Sequence, residues 1–132
     1  MQAGMMSNKA LIIVAHGSRK DSSNEEVKAI VEKVGSLVYK RYAFVITAFL
    51  EFAIPSLEEG MLSCIDKGVS EIVILPYFLA SGNHVTRDIP VVVQKIQASH
   101  PHVKITLKEH VGSSPGIVKL LSDMAVSLNN KL

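Results

Sequence analysis

The stretch KALIIVAHGSRKDSSNEE, residues 9–26, decides the fold. Lys9–Ala15 is a short, unbroken apolar run rich in branched side chains. That composition suits a strand buried on both faces, as in a parallel sheet. His16 and Gly17 close the run. Asp21, Ser22 and Ser23 then offer helix N-caps, and Glu25 and Glu26 fall in a first turn, where the helix dipole favours carboxylates. Val27, Ile30, Val31, Val34 and Val38 follow at helical spacing. The stretch is therefore a strand, a glycine loop and a helix.

The same unit recurs along the chain. YAFVITAFLEF, 42–52, reads as a second strand, and Pro55 and Ser56 open a helix that runs to about Lys67 and stops at Gly68. EIVILPYFL, 71–79, reads as a third strand, with Thr86 or Asp88 as the cap of the next helix and Pro90 in its first turn. HVKITLKEHV, 102–111, is a weaker fourth strand, and Ser113-Ser114-Pro115 opens a last helix to about Asn129. The order βαβαβαβα predicts an α/β fold, a four-stranded parallel sheet with helices on both faces. Residues 1–8 are expected to be a disordered leader and 9–132 a single domain. Four strands are few for such a sheet, so a covered edge or a dimer is expected.

Composition narrows the function. The chain has 132 residues, is 48% hydrophobic and has no Trp, so its core is aliphatic. A net charge of +2 is too small to argue for nucleic acid but suits an anionic small molecule. The single Cys64 forms no internal disulfide and reads as a small core residue. No apolar run approaches the ~20 residues of a membrane span, and the leader lacks a signal-peptide centre, so the cytoplasm is the expected compartment.

In open parallel sheets, ligands bind beyond the carboxyl ends of the strands, where the strand order reverses. His16, Glu51, His84, and the pair Glu109 and His110 lie at the four predicted strand ends. A lone histidine there is more often a hydrogen-bonding cap. Two, each beside a glycine, point to a site, because neutral imidazole is a common ligand for divalent first-row metals. Gly17 and Gly82 would let backbone approach a bulky ligand, while Arg19, Lys20 and Arg87 could pair with its carboxylates. His100 and His102 read as loop residues. HGSR could instead cradle a phosphate, with His16 as nucleophile and Arg19 as clamp, although the loop matches no phosphate-binding fingerprint.

HGSR at 16–19, FLEFAIPSLEEG at 49–60 and LPYFLASGNHVTRDIP at 75–90 together resemble the short sirohydrochlorin cobaltochelatases of the CbiX type, relatives of the sirohydrochlorin ferro- and nickelochelatases. The resemblance extends from Lys9 to the last helix. It implies a chelatase-like domain, a homodimer with the cleft between subunits, and ATP-independent insertion of Co²⁺, Ni²⁺ or Fe²⁺ into sirohydrochlorin. It places the metal on His16 and His84 and a catalytic carboxylate at Glu51. No cofactor beyond the metal substrate, no nucleic acid and no membrane partner is expected. His110 has no match and stays outside the metal set. A metal or tetrapyrrole carrier without turnover is the alternative from another class.

Overall fold

The computed structural model describes residues 7–128. The elements are β1 (Lys9–Ala15), α1 (Asp21–Val38), β2 (Phe44–Phe49), α2 (Leu57–Asp66), β3 (Glu71–Pro76), α3 (Ile89–Ser99), β4 (Lys104–Leu107) and α4 (Pro115–Val126). A π-helical turn, His84–Asp88, precedes α3, and a 3₁₀ turn, Val111–Ser113, precedes α4. The four strands form one parallel sheet in the order β2-β1-β3-β4. The chain leaves β1 for one edge and returns to β3 on the other side. The strand order therefore reverses between β1 and β3.

Strand parity sorts the core into two layers. Ala10, Ile12, Val14, Ile72 and Ile74 pack under Leu57, Met61 and Cys64 of α2 and Ile89 and Ile96 of α3. Leu11, Ile13 and Val73 face the other way, against Val31, Val27 and Val34 of α1. The central strands are covered twice, which is why β1 has no polar alternation. β4 is an edge strand paired only with β3, and its burial is correspondingly weak.

The helix signals at α2 and α4 match the sequence reading. Ser56 and Glu59 form a reciprocal capping box: the Glu59 N–H donates to Ser56 Oγ at 3.1 Å, and the Ser56 N–H donates to Glu59 Oε1 at 2.8 Å. Gly68 sits at φ +88° just past the end of α2. The Gly116 N–H donates to Ser114 Oγ at 3.1 Å, and Pro115 takes the first position of α4. α4 ends at Val126; the expected end near Asn129 lies outside the described residues.

Two expectations differ. β2, β3 and β4 are shorter than the apolar runs suggest, although single backbone bonds to the neighbouring strand continue just past them. Asp88 holds the N-cap position of α3, but neither it nor Thr86 makes a side-chain capping bond: the Thr86 hydroxyl donates to the Gly82 carbonyl, and the Asp88 carboxylate turns to His84. Pro90 explains the wide turn before α3. It lacks an N–H, and in a regular helix its ring would crowd the carbonyl four residues back. Of the expected leader, residues 1–6 lie outside the described residues. Ser7 Oγ donates to the Arg41 carbonyl, and the Asn8 carbonyl accepts from the Ser70 N–H at 3.0 Å. No helix among the described residues is long and apolar enough to cross a membrane.

Met61 is fully buried between the sheet and α2. Met61→Ala should lower unfolding free energy by ~2–5 kcal/mol in urea denaturation.

Candidate metal centre

Each metal-capable side chain follows a different strand. His16 follows β1, Glu51 follows β2, and His84 opens the π-helical turn after β3. Their ligand atoms all lie within 4.8 Å of one another, and no other such cluster occurs among the described residues. The cluster stands at the carboxyl edge, at the reversal of strand order.

Backbone contact brings these loops together. Gly17 has φ +95°, and a β-carbon there would lie 1.8 Å from the Glu51 carbonyl oxygen. Only glycine permits both the conformation and the contact. The parallel ladder continues past the strands, with the Leu50 N–H donating to the Ala15 carbonyl at 3.0 Å and the Glu51 N–H to the His16 carbonyl at 2.9 Å. Phe52 then turns the chain away at φ 65°. The first loop is also tied to α1. Asn24, the one buried polar residue among those described, accepts from the Ser18 N–H at 2.9 Å and donates to the Ser18 carbonyl at 2.8 Å.

His16 Nε2 lies 2.9 Å from Glu51 Oε2, and its Nδ1 lies 3.0 Å from the Gly17 carbonyl. Both ring nitrogens thus face oxygen acceptors, and neutral imidazole carries only one N–H. A cation at the Nε2 side, proton or metal, satisfies the second contact. His84 is held differently. Its Nδ1 meets Asp88 Oδ2 at 2.7 Å, one π-turn along the chain, which leaves Nε2 as the free ligand nitrogen. The two imidazoles meet edge to face, with centroids 4.7 Å apart. The His16, Glu51 and His84 side chains are between 38% and 49% exposed, so the site opens to a large ligand.

The remaining candidates separate. The Arg19 guanidinium lies 4.8 Å above the exposed Phe52 ring, beside the centre. Arg87 is exposed, with Nε 3.9 Å from Asp88 Oδ1, and Lys20 is exposed at the start of α1. These three cations are available to an anionic ligand. Gly17 serves a protein contact, the close approach of the first loop to the Glu51 carbonyl. Gly82 has open space around it, so nothing in the fold requires glycine there. Glu109 and His110 do not join the cluster. They line a separate hollow of about 650 Å³ with Leu75, Leu107 and Val111. Cys64 is buried in the core as expected; burial pushes its thiol up, partly offset by the Lys67 ammonium. His100 and His102 lie between α3 and β4.

Sequence reasoning missed Asp88, Asn24 and Gly112. A β-carbon on Gly112 would lie 1.8 Å from the Leu79 carbonyl oxygen, and its N–H donates to the Phe78 carbonyl at 2.9 Å. That contact docks the fourth loop on the third.

The CbiX family model matches residues 10–127. The chain belongs to the CbiX family. It is 32% identical over 112 residues to the sirohydrochlorin ferrochelatase of Priestia megaterium, covering 85% of this chain and 41% of that protein. It is 35% identical over 92 residues to the sirohydrochlorin cobaltochelatase of Methanocaldococcus jannaschii, covering 70% and 63%. The solved sirohydrochlorin chelatase SirB from Bacillus subtilis subspecies spizizenii, in complex with cobalt, superposes with a TM-score of 0.79 at 26% identity, over 91% of this chain and 50% of that one. This CbiX-family chain thus spans less than two thirds of the length of these relatives.

Asp88→Asn should weaken Co²⁺ binding about 10- to 100-fold, by calorimetric titration, without changing the melting temperature appreciably. Gly17→Ala should cost at least ~1–3 kcal/mol of stability in thermal unfolding, because left-handed backbone strain adds to the overlap with Glu51.

Proposed function

We propose that this protein inserts a divalent metal, Co²⁺ or alternatively Ni²⁺ or Fe²⁺, into sirohydrochlorin without ATP, as a homodimer in the cytoplasm. The observation that carries the reading is the trio His16, Glu51 and His84, three ligand groups from three loops at the reversal point of the sheet. Membership of a family whose matched relatives are sirohydrochlorin chelatases supports it.

Metallation breaks two pyrrole N–H bonds as the ring nitrogens donate their electron pairs to the incoming metal, so two protons must leave. Two histidines are a sparing ligand set. They hold the ion while leaving positions open for the ring, and they release it more readily than a closed four-ligand site. The Glu51 carboxylate would accept one proton, and its contact with His16 Nε2 at 2.9 Å supports that role. An imidazole freed as the metal passes to the ring accepts the other, and both exchange with solvent on the exposed side. The macrocycle is a polycarboxylate. Arg19, Lys20 and Arg87 would pair with its periphery and hold it above the metal.

The phosphate-ester reading loses support from the loop amides. The Ser18 N–H is committed to Asn24 Oδ1, and the Lys20 N–H donates to Ser18 Oγ at 3.0 Å. Neither is turned toward a bound phosphate.

Anaerobic mixing with sirohydrochlorin and each metal, followed by absorbance against the spontaneous rate, tests the proposal. The wild type should accelerate metallation, and His16→Ala and His84→Ala should lose most of that acceleration. Glu51→Gln should lower the rate about 10²-fold while still binding metal. Binding of metal and tetrapyrrole with no acceleration by any metal would instead indicate a carrier.

A further inference from the structure

Phe52 is costly as a purely structural residue. Its φ of 65° holds a large aromatic side chain in the left-handed region, which glycine and asparagine occupy far more easily. The ring gains little burial in return. It is 51% exposed and belongs to neither apolar core cluster. Backbone strain of this kind gathers at functional sites, where the surrounding structure holds it in place. Here the surroundings are the metal centre. Phe52 directly follows Glu51, and its ring centroid lies 6.2 Å from that of the His16 imidazole, tilted by 54°.

One side chain uses the ring. The Arg19 guanidinium carbon sits over it, 4.8 Å from the centroid. Among the described residues, no acceptor takes an Arg19 N–H and no carboxylate pairs with it. Carboxylates stand close by in the chain. Glu25 is taken by Lys28 at 3.1 Å, but Asp21 lies two residues beyond Arg19 and lines, with Phe52, the hollow beside the start of α1. The ring borders both that hollow and the metal centre, and the guanidinium rests on the ring. A π face restrains the cation without supplying a hydrogen-bond acceptor, so the five N–H donors stay available.

We propose that Phe52 is a positioning residue for the tetrapyrrole: its ring holds the Arg19 guanidinium at the metal centre, off the Asp21 carboxylate, to pair with a peripheral carboxylate of the macrocycle. The inference rests on the chelatase reading above and adds the element that aims one of its cations. A guanidinium restrained in advance loses less side-chain freedom on binding than a free one does.

Metallation kinetics with Co²⁺ and sirohydrochlorin test this. Phe52→Leu keeps apolar bulk but removes the π face. It should raise KM for sirohydrochlorin about 2- to 5-fold, with kcat and the KM for Co²⁺ little changed. Phe52→Tyr, which keeps the ring, should restore the wild-type KM. In an Arg19→Ala background, Phe52→Leu should raise KM no further, because the two side chains act as one unit. The Kd for sirohydrochlorin, read by equilibrium dialysis without metal, should follow the same pattern. Phe52→Gly removes the strain together with the ring; it should raise KM as Phe52→Leu does without lowering the melting temperature. A KM unmoved by Phe52→Leu, or effects of Phe52→Leu and Arg19→Ala that add, overturn the inference and leave the chelatase reading standing. A lowered melting temperature in Phe52→Gly with KM unchanged makes the ring a packing residue and overturns it too. A wild type that neither binds sirohydrochlorin nor accelerates its metallation overturns both readings.

Discussion

The carbonyl oxygen of Glu51 occupies the space where any side chain on residue 17 would begin. The arrangement of the site depends on that contact. It lets the backbone of the first loop touch the backbone of the second, and the ladder bonds from Leu50 and Glu51 extend the pairing of β1 and β2 beyond the strands. His16 and Glu51 are thereby held in hydrogen-bond range by main chain, not by a flexible surface ion pair. Asn24 closes the other side of the same loop through two bonds to Ser18. Rigid backbone on both sides allows three exposed groups to stay together without a large penalty in side-chain entropy.

The third member of the cluster, His84, is held by another device. Pro90 disfavours a regular helical turn before α3, and the wider turn that results carries His84 at its start and Asp88 at its end. The Asp88 carboxylate then fixes which imidazole nitrogen is free. A residue that looks like a helix cap in sequence thus orients the His84 imidazole. The cost of the poorer turn is offset by a charge-assisted hydrogen bond and by the burial of Ile89 directly after it.

Much of this was legible in the chain because it is written in local patterns. β1 has the same bounds in the sequence reading and in the structure, since six consecutive apolar residues, mostly branched, after Lys9 have few other fates. Ser56, Gly68 and Ser114 announced their helix ends through short-range bonds that involve only near neighbours. His16, Glu51 and His84 were identifiable because the fold class says where strands end. The strand lengths were less legible. Leu50 and Tyr77 are as apolar as the strands before them and still bond to the neighbouring segment, so the local pattern does not mark where the regular strands stop. The separation of Glu109 and His110 from the cluster was also hidden, because β4 ends early and its loop folds back through Gly112 onto Leu79.

By itself, then, the sequence determined the alternation of strands and helices, the aliphatic two-layer core and the candidate site residues His16, Glu51 and His84. Each follows from periodicity, capping chemistry or residue type within a few positions. Tertiary structure alone decided the strand order, and with it the meeting of His16 and His84, because adjacency of β1 and β3 is a long-range pairing that no local pattern encodes. It also decided the use of Gly17, the partner of Asp88 and the contact of Arg19 with Phe52. All three depend on what lies across a gap from a residue, and that is set only when distant segments of chain pack together.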